Sequence, residues 1–491
     1  MAEDAALRPA ARAPRGFADR RGAPLIVERA IIAAVVGVFE RFGFEALETG
    51  ALEYADALGK FLPDDDRPSE GVFSLRDDDE QWLALRYDLT APLARYVAEN
   101  REALPRPFRR YAFGPVWRDE KPGPGHGRQF IQCDADTVGS GRPEADAEII
   151  AMSLEAYAAA GLARDAVSVK INSRKLLNGL LGAAGIGDER QRLAALRAVD
   201  KLDRLGPVAV AELLGPGRKD ASGAFTRGAQ LPTAAIEAVL AFVEAGRPSR
   251  AGTLAAVAEV IGGSAEGEAG LAELARIDAA LHALGATEAA AAFDPSIVRG
   301  LEYYTGAVFE AQLTGKGLAD AEEARRFGSI GGGGRYDDLV ARFTGETTPA
   351  TGFSFGVSRL ADALAAGGAT LAQEGRGPVV VVSLDESRMA DYFGLARELR
   401  EAGIAAEVYL GGAGMRAQMK YADRRLSPAA VILGDDEIAC GRVTIKDLDL
   451  GAEMAADVAD NRAWRADRPG QISVPRADFV EAVRRIVARA R

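Results

Sequence analysis

The sequence predicts an α+β chain: a largely antiparallel sheet with helices around it, a helical insertion, and a small α/β domain at the C-terminal end. Three observations predict this. Strand-like segments in the first part meet through turns rather than helical crossovers. From about residue 180 to 284, alanine, leucine and charge dominate with helical periodicity and glycine breaks. After a linker at 366–378, AGGATLAQEGRGP, strand and helix alternate as in βαβ units. The length, 491 residues, leaves room for about three domains.

In chain order, MAEDAALRPAARAPRGFADRR has arginines but no apolar h-region, and Glu3 and Asp4 argue against organelle targeting. It reads as a loose arm. Residues 25–42 have helical apolar spacing ended by Gly43, and FEALET follows as a strand. Residues 73–75 and 82–85 are short strands around the polar turn RDDDEQ. Residues 111–118 and 129–138 are two more, joined by the glycine- and proline-rich EKPGPGHG. A helix at 145–160 and a strand at 167–171 precede the insertion; extended segments return at 307–312, 329–330 and 353–357. In the last part VVVVSL, AAEVYL, AAVILG and GRVTIKDL are strands, with helices at 389–402, 415–424 and 478–489.

Composition excludes several classes. Hydrophobic residues at 48% and charged residues at 27% are an ordinary globular balance. No apolar run is long and charge-free enough to span a bilayer. Cys133 and Cys440 stand far apart, which excludes a disulfide framework and points to a reducing compartment. His126 and His282 lack metal-ligand spacing, so a structural zinc site is not expected. There is no P-loop and no G-x-S-x-G elbow. A net charge of −12 argues against nonspecific nucleic-acid binding over the whole surface, and leaves room for a local basic groove.

The chemistry-bearing residues cluster in four places. In RGLEYYTG, residues 299–306, an extended chain would set Tyr304 and Tyr303 on opposite faces, one of them in the core. In IGGGGRYD, 330–337, four glycines form either a flexible turn or a place where a ligand or backbone comes close. The hairpin VWRDEKPGPGHGRQF places Arg118 at one strand end and Arg128 at the next strand's start, so both can face one cleft. Planar guanidinium forks suit phosphate or carboxylate, although a surface ion pair is the plainer alternative. Glu120 could orient an arginine or accept from a base amine. Gln132, Asp134 and Asp136 share a strand face, as do Arg86, Asp88 and Thr90 if extended. Such a face needs a ligand or cation to satisfy it. With Arg299, Tyr304 and Arg359 added, this is the inventory of a site for an amino acid beside ATP.

These segments resemble the histidyl-tRNA synthetases, a family of class II aminoacyl-tRNA synthetases. RGLEYYTG and IGGGGRYD resemble the family's two histidine-recognition motifs. FGPVWRDEKPGPGHGRQFIQCDAD resembles class II motif 2, PATGFSFGVSRL motif 3, and the region of FGFEALET motif 1. VKINSRKLLNG, RAVDKLDRLG and MKYADRRLSPAAVILGDDEIACGRVTIKDL also look like this family, so the resemblance runs from about residue 15 to 446.

The resemblance implies a class II antiparallel catalytic sheet, split into 15–180 and 286–370 by the insertion at 181–285. A flexible arm at 1–14 precedes it, and an anticodon-binding α/β domain at 377–491 follows. It implies ATP-dependent ligation of L-histidine to its tRNA through histidyl-adenylate, with release of pyrophosphate and AMP. Mg2+ would accompany ATP, and the enzyme would be a cytoplasmic homodimer with no membrane association. Arg118, Arg299 and Gln132 would be catalytic. Asp136 would accept the imidazole N–H and Tyr304 would donate to the other ring nitrogen, with Tyr336 closing the pocket. Tyr303, facing away, would pack and serve only as a second-choice contact. Asp88, Thr90 and Gln132 would hold the α-amino group, and Arg299 the carboxylate and α-phosphate. Arg118, Glu120, Arg128 and Arg359 would bind ATP, and no protein residue would be a dedicated metal ligand. The C-terminal domain would read the anticodon and the insertion would touch the acceptor arm; Lys420, Arg424 and Arg425, in the C-terminal domain, would be candidate tRNA contacts. His126 departs from the arginine common there. Asp88 and Asp136 depart from the glutamate of many bacterial members, so each carboxylate is one methylene shorter. The alternative is a non-catalytic regulatory paralogue, a subunit of ATP phosphoribosyltransferase. That paralogue typically lacks the C-terminal domain and carries degraded motifs.

Overall fold

The computed structural model describes residues 9–58, 71–122, 127–219, 223–261, 263–298, 303–315, 328–366, 376–450 and 470–489. The chain forms two compact units, 1–372 and 373–491.

The first unit is built on an eight-stranded sheet: β1 (Glu45–Ala46), β2 (Phe108–Trp117), β3 (Gln129–Val138), β4 (Val167–Ser173), β5 (Ala291–Phe293), β6 (Ala307–Leu313), β7 (Ser329–Arg335) and β8 (Ala350–Gly356). Its spatial order is β1-β2-β3-β8-β7-β6-β4-β5. The six inner strands pair antiparallel, and the short edge strands β1 and β5 pair parallel.

Alternation decides which face is dry. Ile131, Cys133 and Ala135 of β3, with Phe353 and Phe355 of β8, belong to the main core. Helix α1 (Ala23–Arg41) supplies Ile31, Val35, Val38 and Phe39 at helical spacing. Phe39 meets Phe355 at 5.8 Å, and Tyr157 of the second covering helix (Pro143–Ala159) meets it at 4.6 Å. The residues between, Gln132, Asp134 and Asp136 on β3 and Gly352, Ser354 and Gly356 on β8, are left for the opposite face.

Arg335, at the end of β7, ties the glycine strand to the second covering helix. It donates twice to Asp146 Oδ2, at 3.0 and 2.7 Å, and to the carbonyls of Ser140 and Arg142. Burial pushes the Asp146 carboxyl up to about 6 against the pull of Arg335.

Several expectations are corrected. IGGGGRYD is not a turn: its glycines lie in β7, in the middle of the sheet. The segment Arg86-Asp88-Thr90 is not extended, because a helix, Thr90–Glu99, starts at Thr90. Asp88 Oδ1 accepts from the N–H groups of Thr90 and Ala91 at 3.1 and 2.9 Å, which satisfies donors a helix start leaves open. Residues 303–306 are a turn rather than a strand. Among the described residues, six helices lie between Arg174 and Ala283, and the insertion region adds a two-stranded ribbon, Gly217–Lys219 with Phe225–Arg227, that helical periodicity could not reveal.

The second unit carries a five-stranded sheet. Val379–Val381, Ala406–Val408 and Ala429–Ile432 pair parallel; Arg442–Asp447 and Gln471–Pro475 continue it antiparallel. Helices Met389–Glu401, Met415–Arg424 and Phe479–Arg489 accompany it, and Tyr392, Leu395, Leu399 and Phe479 fill its core.

Candidate active site

The polar face of the first unit's sheet forms the floor of a cleft of about 320 Å³. Register explains why three polar residues fit there. Asp136 lies between Arg110 of β2 and Gly352 of β8, Asp134 between Ala112 and Ser354, and Gln132 between Gly114 and Gly356. Small neighbours make room. A Cβ on Gly352 would lie 1.9 Å from Asp136 Oδ1, and one on Gly114 would lie 2.6 Å from the Arg86 guanidinium.

Each polar group has a defined setting. Gln132 donates from Nε2 to Ser354 Oγ at 2.8 Å. Gln132 Oε1 and Asp134 Oδ1 are buried without a hydrogen-bond partner among the described residues. Asp136 accepts from the Tyr336 hydroxyl and stands 2.9 Å from Arg110 Nη2. Burial pushes the Asp134 carboxyl up to about 8; Arg110 opposes this and the neighbouring Asp136 adds to it. Burial also raises Asp88 and Asp136. A cationic ligand arriving here would favour the ionised form of these carboxyls.

Three tyrosines form one wall. The rings of Tyr303 and Tyr304 stand 5.0 Å apart, and those of Tyr303 and Tyr336 5.8 Å apart. Burial holds all three phenols well above their ordinary range, so each hydroxyl keeps its proton to donate. Tyr303 therefore does not face away from Tyr304, as extended geometry required. The chain turns here, both rings line the cleft, and the Tyr303 hydroxyl reaches Asp88 Oδ2 at 3.4 Å. Tyr304 lies against Gly334, where a Cβ would come within 2.8 Å of its ring.

At the other end, Arg118 donates from Nε to the Tyr87 carbonyl at 3.2 Å and lies 5.1 Å from the Phe130 ring centre. Arg359 donates to the Ser329 carbonyl.

The structure thus brings Asp88, Thr90, Arg118, Glu120, Gln132, Asp136, Tyr303, Tyr304, Tyr336 and Arg359 to one cleft. Arg128 is not part of its lining; its guanidinium faces Asp119 at 3.2 Å and the Glu120 carbonyl at 3.1 Å. Arg299 and His126 lie outside the described residues. Sequence reasoning missed Arg110, Gly352 and Ser354. Only the strand register reveals them, and a long hairpin loop does not fix register.

Comparison with known proteins points the same way. A family model described as histidyl-tRNA synthetase matches residues 16–360, and one described as anticodon binding domain matches 378–486. The chain is 66% identical over 481 residues to a protein of Caulobacter vibrioides named histidine–tRNA ligase, covering 98% of this chain and 97% of that one. It is 53% identical to one of the same name from Brucella ovis, with the same coverage. Its structure is similar to the crystal structure of a histidyl-tRNA synthetase from a Nostoc species, with TM-score 0.72 and 26% identity, covering 97% of this chain and 100% of that one.

Proposed function

This chain belongs to the histidyl-tRNA synthetase family, and from that premise we propose how its cleft performs the ATP-dependent joining of histidine to tRNA. The regulatory paralogue is not favoured, because relatives at 66% and 53% identity over nearly the full length are named histidine–tRNA ligase.

The observation that carries the assignment is the buried acceptor stripe Gln132, Asp134 and Asp136 beside a wall of protonated tyrosines. Buried acceptors without partners call for a donor-rich ligand. The α-ammonium of histidine meets that need at Gln132 Oε1 and Asp88, with Thr90 at the helix start beside them. Asp136 accepts the imidazole N–H. Tyr304 donates to the other ring nitrogen, and Tyr303, sharing the cleft, is its neighbour rather than a core residue. Tyr336 fixes Asp136 from behind. An apolar side chain in this pocket would leave these groups unpaired, which discriminates strongly.

Histidine's carboxylate then attacks the α-phosphorus of ATP in line, and pyrophosphate leaves. No covalent enzyme intermediate forms; catalysis is positioning and charge stabilisation. Arg118 and Arg299 meet the charge developing at the α-phosphate. Arg359 and Glu120 hold the rest of ATP, while Arg128 acts there only if Asp119 releases it. The tRNA 3′-terminal hydroxyl next attacks the histidyl-adenylate and releases AMP. Magnesium brought in with ATP would be held mainly by the phosphates, with Glu310 and Glu120 on the cleft lining as the carboxylate oxygens available to it, and would share the phosphate charge.

We assign the arm to 1–14, the catalytic halves to 15–180 and 286–370, the acceptor-arm insertion to 181–285 and the anticodon-binding domain to 377–491. Exposed Lys420 and Arg424 remain candidate tRNA contacts there, whereas Arg425 is engaged by Glu407 at 3.0 Å. A homodimer in the cytoplasm is the proposed setting. The dimer rests on membership of the family, and the compartment on the two widely separated cysteines. No described helix is long and apolar enough to cross a membrane.

ATP–pyrophosphate exchange with each amino acid in turn tests the assignment. Exchange is expected with histidine, at a kcat/KM on the order of 10³-fold or more above any other amino acid. Comparable exchange with a second amino acid, or histidine binding without exchange, would overturn it.

A further inference from the structure

Arg110 is fully buried in β2, directly across the ladder from Asp136. Its Nη2 lies 2.9 Å from Asp136 Oδ2 and donates to the Leu89 carbonyl at 2.8 Å. Its Nε and Nη1 have no hydrogen-bond partner among the described residues. Burying a guanidinium with three of its five N–H donors unused is a poor way to stabilise a sheet. The arrangement makes sense as a device acting on Asp136. Tyr336 donates to the other carboxylate oxygen, and Gly352 crowds that oxygen without a side chain. The carboxylate is thereby held from β2 and from the residue after β7, with room left for it at Gly352 on β8, while it still lines the cleft.

We propose that Arg110 is a positioning residue for histidine: it keeps Asp136 in one orientation and as an anion, so that the pocket selects the N–H of a neutral imidazole. This rests on the reading of Asp136 as the imidazole acceptor.

The surroundings of Asp136 support it. Burial pushes its carboxyl up; Arg110 opposes that most strongly, ahead of the Tyr336 hydroxyl. Among the described residues, the other titratable groups near it are Tyr304 from the 303–306 turn, Asp134 on its own strand and Asp88 before the 90–99 helix. None of these adds positive charge. Without Arg110, Asp136 takes up its proton at higher pH, and a protonated carboxyl is a poorer acceptor for the ring N–H. An opposite charge at this range changes a carboxyl's ionisation by about one to three orders of magnitude.

The test is histidine-dependent ATP–pyrophosphate exchange across about pH 6.5 to 9 for the parent, Arg110→Met, Arg110→Lys, Asp136→Asn and the double variant Arg110→Met/Asp136→Asn. Each variant is compared with the parent at the same pH, so that the ionisation of free histidine divides out. Arg110→Met should raise the KM for histidine about tenfold or more near pH 7 and leave the KM for ATP near the parent value. Its deficit should shrink as pH rises, because ionised Asp136 is then recovered. Arg110→Lys keeps the charge, so its deficit should be smaller and independent of pH. A merely structural role predicts equal, pH-independent deficits in both, and that result would overturn the proposal. The double variant covers the case in which Arg110→Met does not fold, since it removes both buried charges together. It should bind histidine no worse than Asp136→Asn alone; a further tenfold loss would also overturn the proposal. If Asp136→Asn itself leaves the histidine KM unchanged, the reading of Asp136 fails, and the role of Arg110 fails with it. If Asp136→Asn weakens histidine while Arg110→Met does not, only the role of Arg110 fails.

Discussion

Arg118→Ala should lower kcat for histidine activation by about 10²- to 10³-fold while changing the histidine KM by less than about threefold. Arg118 sits just past the end of β2. Its guanidinium is fixed through Nε on the Tyr87 carbonyl and by the Phe130 ring, and its two Nη groups make no hydrogen bond or ion pair to the described residues. A guanidinium anchored at Nε with both Nη groups unspent is preorganised for charge that appears only as the reaction proceeds. Losing one such donor is worth about 3–4 kcal/mol in the transition state. Arg118→Lys should recover part of the loss, because an ammonium supplies charge without the planar fork. Single-turnover formation of histidyl-adenylate reads kcat apart from product release. An unchanged rate in the alanine variant would remove Arg118 from the chemistry.

Gly352→Ala should raise the histidine KM by about two orders of magnitude, with the ATP KM within about threefold of the parent. The new Cβ would lie 1.9 Å from Asp136 Oδ1 and 3.0 Å from the Ala135 carbonyl oxygen. Asp136 cannot step aside cheaply, since Arg110 and Tyr336 hold it where it is. The carboxylate must turn or the strands must part, and overpacking of this kind costs about 1–3 kcal/mol of stability. Gly37→Ala is the control. A Cβ there meets nothing within 4 Å, and Gly37 lies inside α1, where alanine is favoured by about 0.5–1 kcal/mol. Thermal melts and exchange kinetics of the two variants separate loss of fold from loss of site. A parent-like histidine KM in Gly352→Ala would contradict the placement of Asp136.

Much of this site was legible because strand periodicity is local. Gln132, Asp134 and Asp136 alternate with Ile131, Cys133 and Ala135, so sequence alone put the three polar residues on one face, and the sheet keeps them there. The pairing of residues 129–138 with the strand before them was also readable from the hairpin. What failed was information held in partners distant along the chain. Arg110 matters because of a register that the loop at 120–127 does not encode. The glycines of β7 read as a turn because glycine weakens a strand. They are a strand because ring and backbone atoms of neighbouring segments fill the space where Cβ atoms would be, as Tyr304 does at Gly334. Tyr303 shares a wall with Tyr304 because the chain is not extended at 303–306, so the alternation of a strand does not apply there. Asp88 caps the 90–99 helix instead of lying in a strand, through bonds to backbone donors that composition does not reveal.

A crystal structure of the protein with histidine and a non-hydrolysable ATP analogue tests whether histidine lies on the Gln132–Asp134–Asp136 stripe with its ring between Asp136 and Tyr304. One imidazole nitrogen is expected about 2.7–3.2 Å from an Asp136 carboxylate oxygen and the other at similar distance from the Tyr304 hydroxyl. The α-amino group is expected at Gln132 and Asp88 and the α-phosphate at Arg118. A ring lodged elsewhere, with Asp136 touching only Arg110 and Tyr336, would contradict this placement.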